Sequence, residues 1–271
     1  MHCSMYIKKA ACSTMNKLIE TFKENELDLD ETVVEFVSKF YQLYTNERSY
    51  LFSILGTIAQ YHPQVPKLQK YKQNIFVQLF NDFKKQYRPI AKNQPNEIQI
   101  YLEVLINILD NLCAPNEIET RYYAQIYNWI KHLSMPDDNQ AKKNVMRAAI
   151  TLLSRRMNLF RQFVYNDYEY WYKLFSNLTK EKGMNGQCGQ EALKAYYNNL
   201  QIMLKCNDSE KDKTVFLYFK NLIKEQLTDP ELDPDSLRLV IHGFSKLAAP
   251  CKKYLSNNDV KDMYLLIARC T

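Results

Sequence analysis

The chain has 271 residues, 46% of them hydrophobic and 24% charged, proportions that exclude intrinsic disorder as its main state. Its 5 glycines are far fewer than average usage supplies, and hairpin sheets, Rossmann turns and phosphate-cradling loops all need glycine for positive φ. The formal charge of +6 is a mild excess that identifies no partner by itself.

Helices joined by short polar loops remain, and apolar residues recur at i, i+3, i+4 and i+7 in segment after segment. Asp30, a predicted N-cap with Glu31 in the first turn, opens a face of Val33, Val34, Val37, Phe40, Tyr41 and Tyr44. Tyr50, Leu51, Ile54, Leu55, Ile58 and Tyr61 form the next, stopped by His62-Pro63. Leu68, Tyr71, Ile75, Leu79, Phe80 and Phe83 follow, then Tyr101, Val104, Leu105, Ile108, Leu109 and Leu112, ended by Cys113-Ala114-Pro115. Further helices are predicted near 117–132, 140–156, 166–179, 188–205, 212–227, 234–248 and 257–269. Strand alternation is sustained nowhere, so the expected fold class is all-α.

Successive helix pairs occupy roughly 40–47 residues, the period of HEAT and armadillo arrays. Val145, Ala149 and Leu153 have the i, i+4, i+8 spacing of an inner repeat helix, as do Ala192, Tyr196 and Leu200 with the small residue displaced. An array of four-helix bundles competes, but a dozen short helices without a long one suit stacking better. The expectation is a HEAT/armadillo-like α-solenoid of about a dozen helices, forming one array over residues 1–271.

Motifs for catalysis are not legible. The glycine cluster KGMNGQCG (Gly183, Gly186, Gly189) has no strand before it and reads as a flexible loop between helices. Asp137-Asp138 begins a diphosphate-type metal box, but no further carboxylate follows to complete it. Cysteines 3, 12, 113, 188, 206, 251 and 270 are odd in number, scattered and never paired as CxxC, which suits reduced thiols in the cytosol or nucleus. His2, His62, His132 and His242 lie far apart, and no zinc spacing occurs. The N-terminus lacks the unbroken apolar core of a signal peptide, and no window suits a membrane span.

Charge is segregated along the chain. Residues 67–92 hold Lys67, Lys70, Lys72, Lys84, Lys85, Arg88 and Lys92 against Asp82 alone. Residues 139–166 hold Lys142, Lys143, Arg147, Arg155, Arg156 and Arg161 and no acid, while 93–120 hold five acids and no cation. At ~100° per residue Lys70 and Lys84 fall opposite the Leu68/Ile75/Leu79 face with Lys67 and Lys85 on its flank, and Lys143 and Arg147 fall opposite Val145/Ala148/Leu152. A candidate phosphate-facing set is therefore Lys67, Lys70, Lys84, Lys85, Arg88, Lys143 and Arg147. A solvated helix face explains the same cations, with Arg155 and Arg156 complementing a helix C-terminus. The run Tyr165, Tyr168, Tyr170, Trp171, Tyr172 suits either base stacking or packing between helices, and packing is the commoner use.

The closing segment LRLVIHGFSKLAAPCKKYLSNNDVKDMYLLIARC, Leu237 to Cys270, resembles the N-terminal HEAT region of the DNA-dependent protein kinase catalytic subunits. The resemblance rests on an amphipathic helix ending in Ala249-Pro250-Cys251-Lys252, then Asp259-Val260, Met263-Tyr264 and Arg269-Cys270. Lys17–Phe22 (KLIETF), Glu35–Tyr41 (EFVSKFY), Leu55-Gly56 and His62-Pro63 are similar to earlier stretches of that region in the same order. Against that family the loop around Thr45–Ser49 is shortened, and the middle of the chain agrees mainly in helix pattern.

The resemblance implies a scaffold fragment of a nuclear serine/threonine kinase of the phosphatidylinositol 3-kinase-related group. Its implied partners are double-stranded DNA ends and the Ku heterodimer, in repair by non-homologous end joining, with no membrane and no small-molecule substrate. ATP and magnesium would belong to a kinase domain absent from this chain, which itself would carry no cofactor, metal or catalytic residue. The alternatives are a HEAT-repeat protein-interaction adaptor unrelated to DNA, taking peptides in its concave face, and an all-α enzyme with an unrecognised site.

Overall fold

The computed structural model describes residues 5–35, 37, 49–87, 95–135, 139–206, 210–229 and 233–270. Among the described residues there is no strand. The helices are α1 (Met5–Glu24), α2 (Ser49–Tyr61), α3 (Pro66–Gln86), α4 (Pro95–Asn111), α5 (Thr120–Leu133), α6 (Gln140–Arg155), α7 (Arg161–Asn166), α8 (Tyr168–Thr179), α9 (Met184–Cys206), α10 (Glu210–Leu227), α11 (Pro234–Ala248) and α12 (Asn257–Cys270). The all-α expectation holds. Most of the EFVSKFY helix and the shortened loop lie outside the described residues, as do Asp137 and Asp138.

Local chemistry starts these helices where the sequence places its caps. Asp30 Oδ1 accepts from Thr32 N at 2.7 Å and opens the helical turn at 31–35. Asn139 caps α6 by accepting from Ala141 N and Lys142 N, and Asp233 caps α11 in the same way with Pro234 in its first turn. Ser256 and Asp259 form a reciprocal capping box at the start of α12.

The chain groups into two compact units, Met1–Arg156 and Met157–Thr271. In the first, α1, α2, α4 and α6 pack one on the next in a row, with α3 lying on α4 and α5 on α6. Neighbours within the row run parallel. Cys12 meets Tyr50, Asn16 meets Ser53 and Glu20 meets Tyr61, so both positions climb together from α1 to α2. Further along, Asn107 on α4 bonds Gln60 on α2 across 47 residues, and Arg155 on α6 reaches Asp110 on α4 across 45. The outer helices α3 and α5 run parallel as well, through Phe76 against Tyr122 and Phe83 against Trp129. His62, buried at the end of α2, donates from Nε2 to the Ile19 carbonyl at 3.1 Å, a structural tie between α1 and α2.

The second unit repeats the scheme. α9 packs on α8 and α11, and α10 packs on α11 and α12. From α7 and α8 to α10 the contacts ascend from Tyr165–Asp212 through Tyr172–Phe219 to Gln226–Tyr172, and from α10 to α12 from Phe216–Tyr254 to Lys224–Asp262. Two layers of parallel helices, each contacting its neighbour about one repeat away, are the construction of a HEAT-type α-solenoid. Val145, Ala149, Leu153, Ala192, Tyr196 and Leu200 are all buried, as that construction requires.

The glycine cluster departs from the expected flexible loop. α9 begins at Met184 and takes Gly186 and Gly189 into its first turns. A Cβ on Gly189 would stand 2.7 Å from both Leu178 Cβ and Thr179 N, so glycine is what lets α9 start against the end of α8. Gly243 does the same between helices, since its Cβ would meet the Tyr197 ring at 2.4 Å. Close approach is the physical reason for Gly189 and Gly243, whereas Gly183, at φ +69° with open space around it, supplies the turn before α9.

Candidate nucleic-acid interface

Helix α3 divides into two faces. Leu68, Ile75, Phe76, Leu79, Phe80 and Phe83 are buried against α4 and α5. The opposite face exposes Gln69, Lys70, Gln73, Asn74, Gln78, Asn81, Lys84 and Lys85, cations and amides with no carboxylate among them. The single acid of the helix, Asp82, is 7% exposed and lies 3.8 Å from Lys85 Nζ. From Lys70 to Lys84 this face runs about 21 Å at 1.5 Å per residue. Lysines and amides on one rigid ridge can meet phosphate oxygens as point charges and hydrogen-bond donors, without reading bases.

The remaining candidates are placed differently. Lys67 Nζ pairs with Glu35 and stands 3.8 Å from Glu31, and the Glu35 hydrogen bond raises its pKa above the ordinary lysine value. Lys143 and Arg147 are half-buried on α6, where Arg147 Nη2 donates to Asn144 Oδ1. They therefore do not stand fully in solvent, because α6 packs along both α4 and α5. Lys70, Lys84 and Lys85 share one face of α3, whereas Lys143 and Arg147 sit on a helix of the other row. Arg88 lies outside the described residues.

Much of the segregated charge is spent between repeats. Lys72 Nζ is 2.6 Å from Glu117 Oε1, and Glu117 Oε2 accepts from Ala114 N. Both contacts hold the Glu117 carboxyl below its usual range, the lysine first. Arg156 Nε lies 2.5 Å from Asp110 Oδ1 and Arg155 Nη1 lies 3.5 Å from Asp110 Oδ2. The acidic stretch 93–120 thus neutralises basic stretches one repeat before and after it.

The tyrosine run is packing. Tyr165, Trp171 and Tyr172 are buried, and their rings meet Asp212, Phe175 and Phe219. Burial and the Asp212 hydrogen bond push the Tyr165 phenol far above its ordinary pKa. Cys12, Cys113, Cys188 and Cys251 form no disulfide, and burial pushes Cys113 and Cys251 up to about 11. Among the described residues no group of three or more His, Cys, Asp or Glu gathers, and no helix is long and apolar enough to cross a membrane. The second unit holds a polar cavity of about 330 Å³ at the ends of α8 and α10, lined by Tyr172, Lys180, Gln226 and Asp229 among others. What sequence reading missed on α3 is the amide set Gln73, Asn74, Gln78 and Asn81; its signal was the lack of any acid at their helical spacing.

The parallel rows define a HEAT-type scaffold, a class whose stacked repeats present extended surfaces. Within that class, the chain matches the family described as "DNA-PKcs, N-terminal" over residues 4–271, and it belongs to that family. It is 23% identical over 266 residues to the DNA-dependent protein kinase catalytic subunit of Xenopus laevis, covering 94% of this chain and 6% of that protein. It is 19% identical over 273 residues to the same subunit of Canis lupus familiaris, covering 97% of this chain and 6% of that protein. The chain thus spans about 6% of the length of these relatives.

Proposed function

We propose that the chain is a scaffold segment that helps engage DNA ends and the Ku heterodimer in the nucleus, during double-strand break repair by non-homologous end joining. Family membership supplies the context, and the acid-free face of α3 is the observation that carries direct DNA contact. Lys70, Lys84 and Lys85 would neutralise phosphates, with the amides of the same ridge donating between them. Lys67, Lys143 and Arg147 would contribute less, being paired or half-buried. ATP and magnesium would act in a serine/threonine kinase domain of the larger protein, and this segment would hold neither.

Binding of this kind is independent of sequence and steep in salt. Each phosphate neutralised contributes about 0.9 to the slope of log K against log salt, and nonspecific affinity lies on the order of 10⁻⁵ M. Lys84→Glu with Lys85→Glu should weaken unrelated duplexes equally and flatten the slope by about two units. Glu103→Lys, at an exposed acid of α4, should leave binding unchanged or strengthen it. Fluorescence anisotropy with two unrelated 30-base-pair duplexes reads all three effects. Absence of binding at low salt, with helicity intact, would remove direct DNA contact from the segment.

One observation favours a second reading. So many cations are tied to carboxylates a repeat away that the chain would serve instead as a protein-interaction adaptor unrelated to DNA. The adaptor reading expects no duplex binding even at low salt.

A further inference from the structure

Because the outer row of the second unit is parallel, its helices begin on the same edge. α10 starts at Glu210 and α12 at Asn257, and the turn Lys252–Tyr254 leads into α12 beside the first turns of α10. Contacts to the preceding helix pair hold both parts of this edge. Lys211 Nζ reaches Asn166 Oδ1 at 2.6 Å and lies over the Tyr165 ring, and one repeat later Lys253 lies over Tyr254, which packs on Phe216. Lys211, Lys213, Lys252 and Lys253 are all exposed there.

The acids of the edge are largely withdrawn. Asp212 is 1% exposed and accepts from Tyr165. Asp259 is held by Ser256, Lys224 and Lys220, and these contacts, the Ser256 hydrogen bonds first, keep its carboxyl far below the usual range. Among the described residues Glu210 is an exposed acid of the edge, 4.0 Å from Lys213. The N-termini of α10 and α12 add partial positive charge to the same edge. The polar cavity of this unit lies at the opposite end of α8 and α10 from this edge.

We propose that this edge, Lys211, Lys213, Lys252 and Lys253, is a second phosphate-contacting surface that follows a duplex backbone from repeat to repeat. The proposal rests on the DNA-engaging reading given above. Packed helices stand ~8–10 Å apart, and one strand carries a phosphate every ~3.4 Å of duplex axis, so adjacent repeats meet phosphates about three apart. No base is read, because lysines on a helix edge supply charge without the planar fork that pairs with guanine.

The test uses the full chain and a labelled 30-base-pair duplex at low salt. Lys252→Glu with Lys253→Glu should lower affinity at least fivefold and flatten the salt slope by about two units, with the thermal midpoint unchanged. Acylation footprinting should show Lys211 and Lys252 protected by the duplex in the unaltered chain. If Lys84→Glu/Lys85→Glu weakens binding while the edge variant and the footprint do not respond, the edge is refuted and the DNA reading stands. Loss at the edge with α3 indifferent supports the edge and moves the contact away from α3. If the unaltered chain binds no duplex, both fall. Loss of poly-glutamate binding with duplex binding intact would assign the edge to an acidic protein and overturn the proposal.

Discussion

Helices α3 and α6 come from stretches of equal formal charge and use it in opposite ways. α3 is an outer helix whose apolar face is filled by α4 and α5, so Lys70, Lys84 and Lys85 are left in solvent. α6 packs along α4 and α5, half-burying Lys143 and Arg147, while Arg155 and Arg156 at its end converge on Asp110. A run of cations becomes a surface only where the fold leaves it without a carboxylate one repeat away. Charge counted along a solenoid sequence therefore overstates charge on its surface.

Removing what holds α3 in place should have the largest effect on this contrast. Phe83, fully buried against Tyr101 and Trp129, anchors the ridge from beneath. Phe83→Ala should cost about 3–5 kcal/mol in urea unfolding and abolish the ordered ridge with it. Asp110→Ala tests the α6 side of the comparison. It leaves Arg156, with a side chain 21% exposed, beside no carboxylate, and should cost about 1–3 kcal/mol. Adding Arg156→Met should recover part of that loss, which a double-mutant cycle measures.

Smaller effects sharpen it further. Lys143→Gln should change duplex affinity by less than twofold, against the larger loss expected from the α3 pair; an equal loss would place both rows at the DNA. The smallest effect separates a paired lysine from an exposed one on the same helix. Lys72 holds the Glu117 carboxyl low, so as pH falls through the ordinary carboxylate range the unfolded chain takes up its proton first. Stability contributed by the pair is therefore present above that range and declines from about pH 5 downward. Lys72→Met should make the pH dependence of the thermal midpoint shallower between about pH 5 and 3, whereas Lys84→Met should leave it unchanged.

Helix positions were largely legible in the sequence, since burying one stripe per helix forces the 3.6-residue pattern whatever the neighbour is. Asp30 marked a start because capping is a local effect. α9 was misjudged at its start: glycine signals a loop unless another helix needs the space of its missing Cβ, and only the packed neighbours Leu178 and Thr179 reveal that need. α7 went unread, and the segment predicted near 166–179 covers α8 alone, because six residues carry less than two turns of the apolar pattern.

By itself the sequence determined the all-α class, the repeat period and the family resemblance, all of which follow from short-range spacing and residue order. Tertiary structure alone decided which cations are available. Lys67, Lys72 and Arg156 are indistinguishable from Lys84 in a linear reading, yet each is held by a carboxylate that only stacked helices bring within reach. The same stacking brings the turn Lys252–Tyr254 beside α10, through Tyr254 against Phe216, although the two are far apart in the chain. Ion pairing and exposure depend on distances across repeats, and a linear pattern contains no such distance.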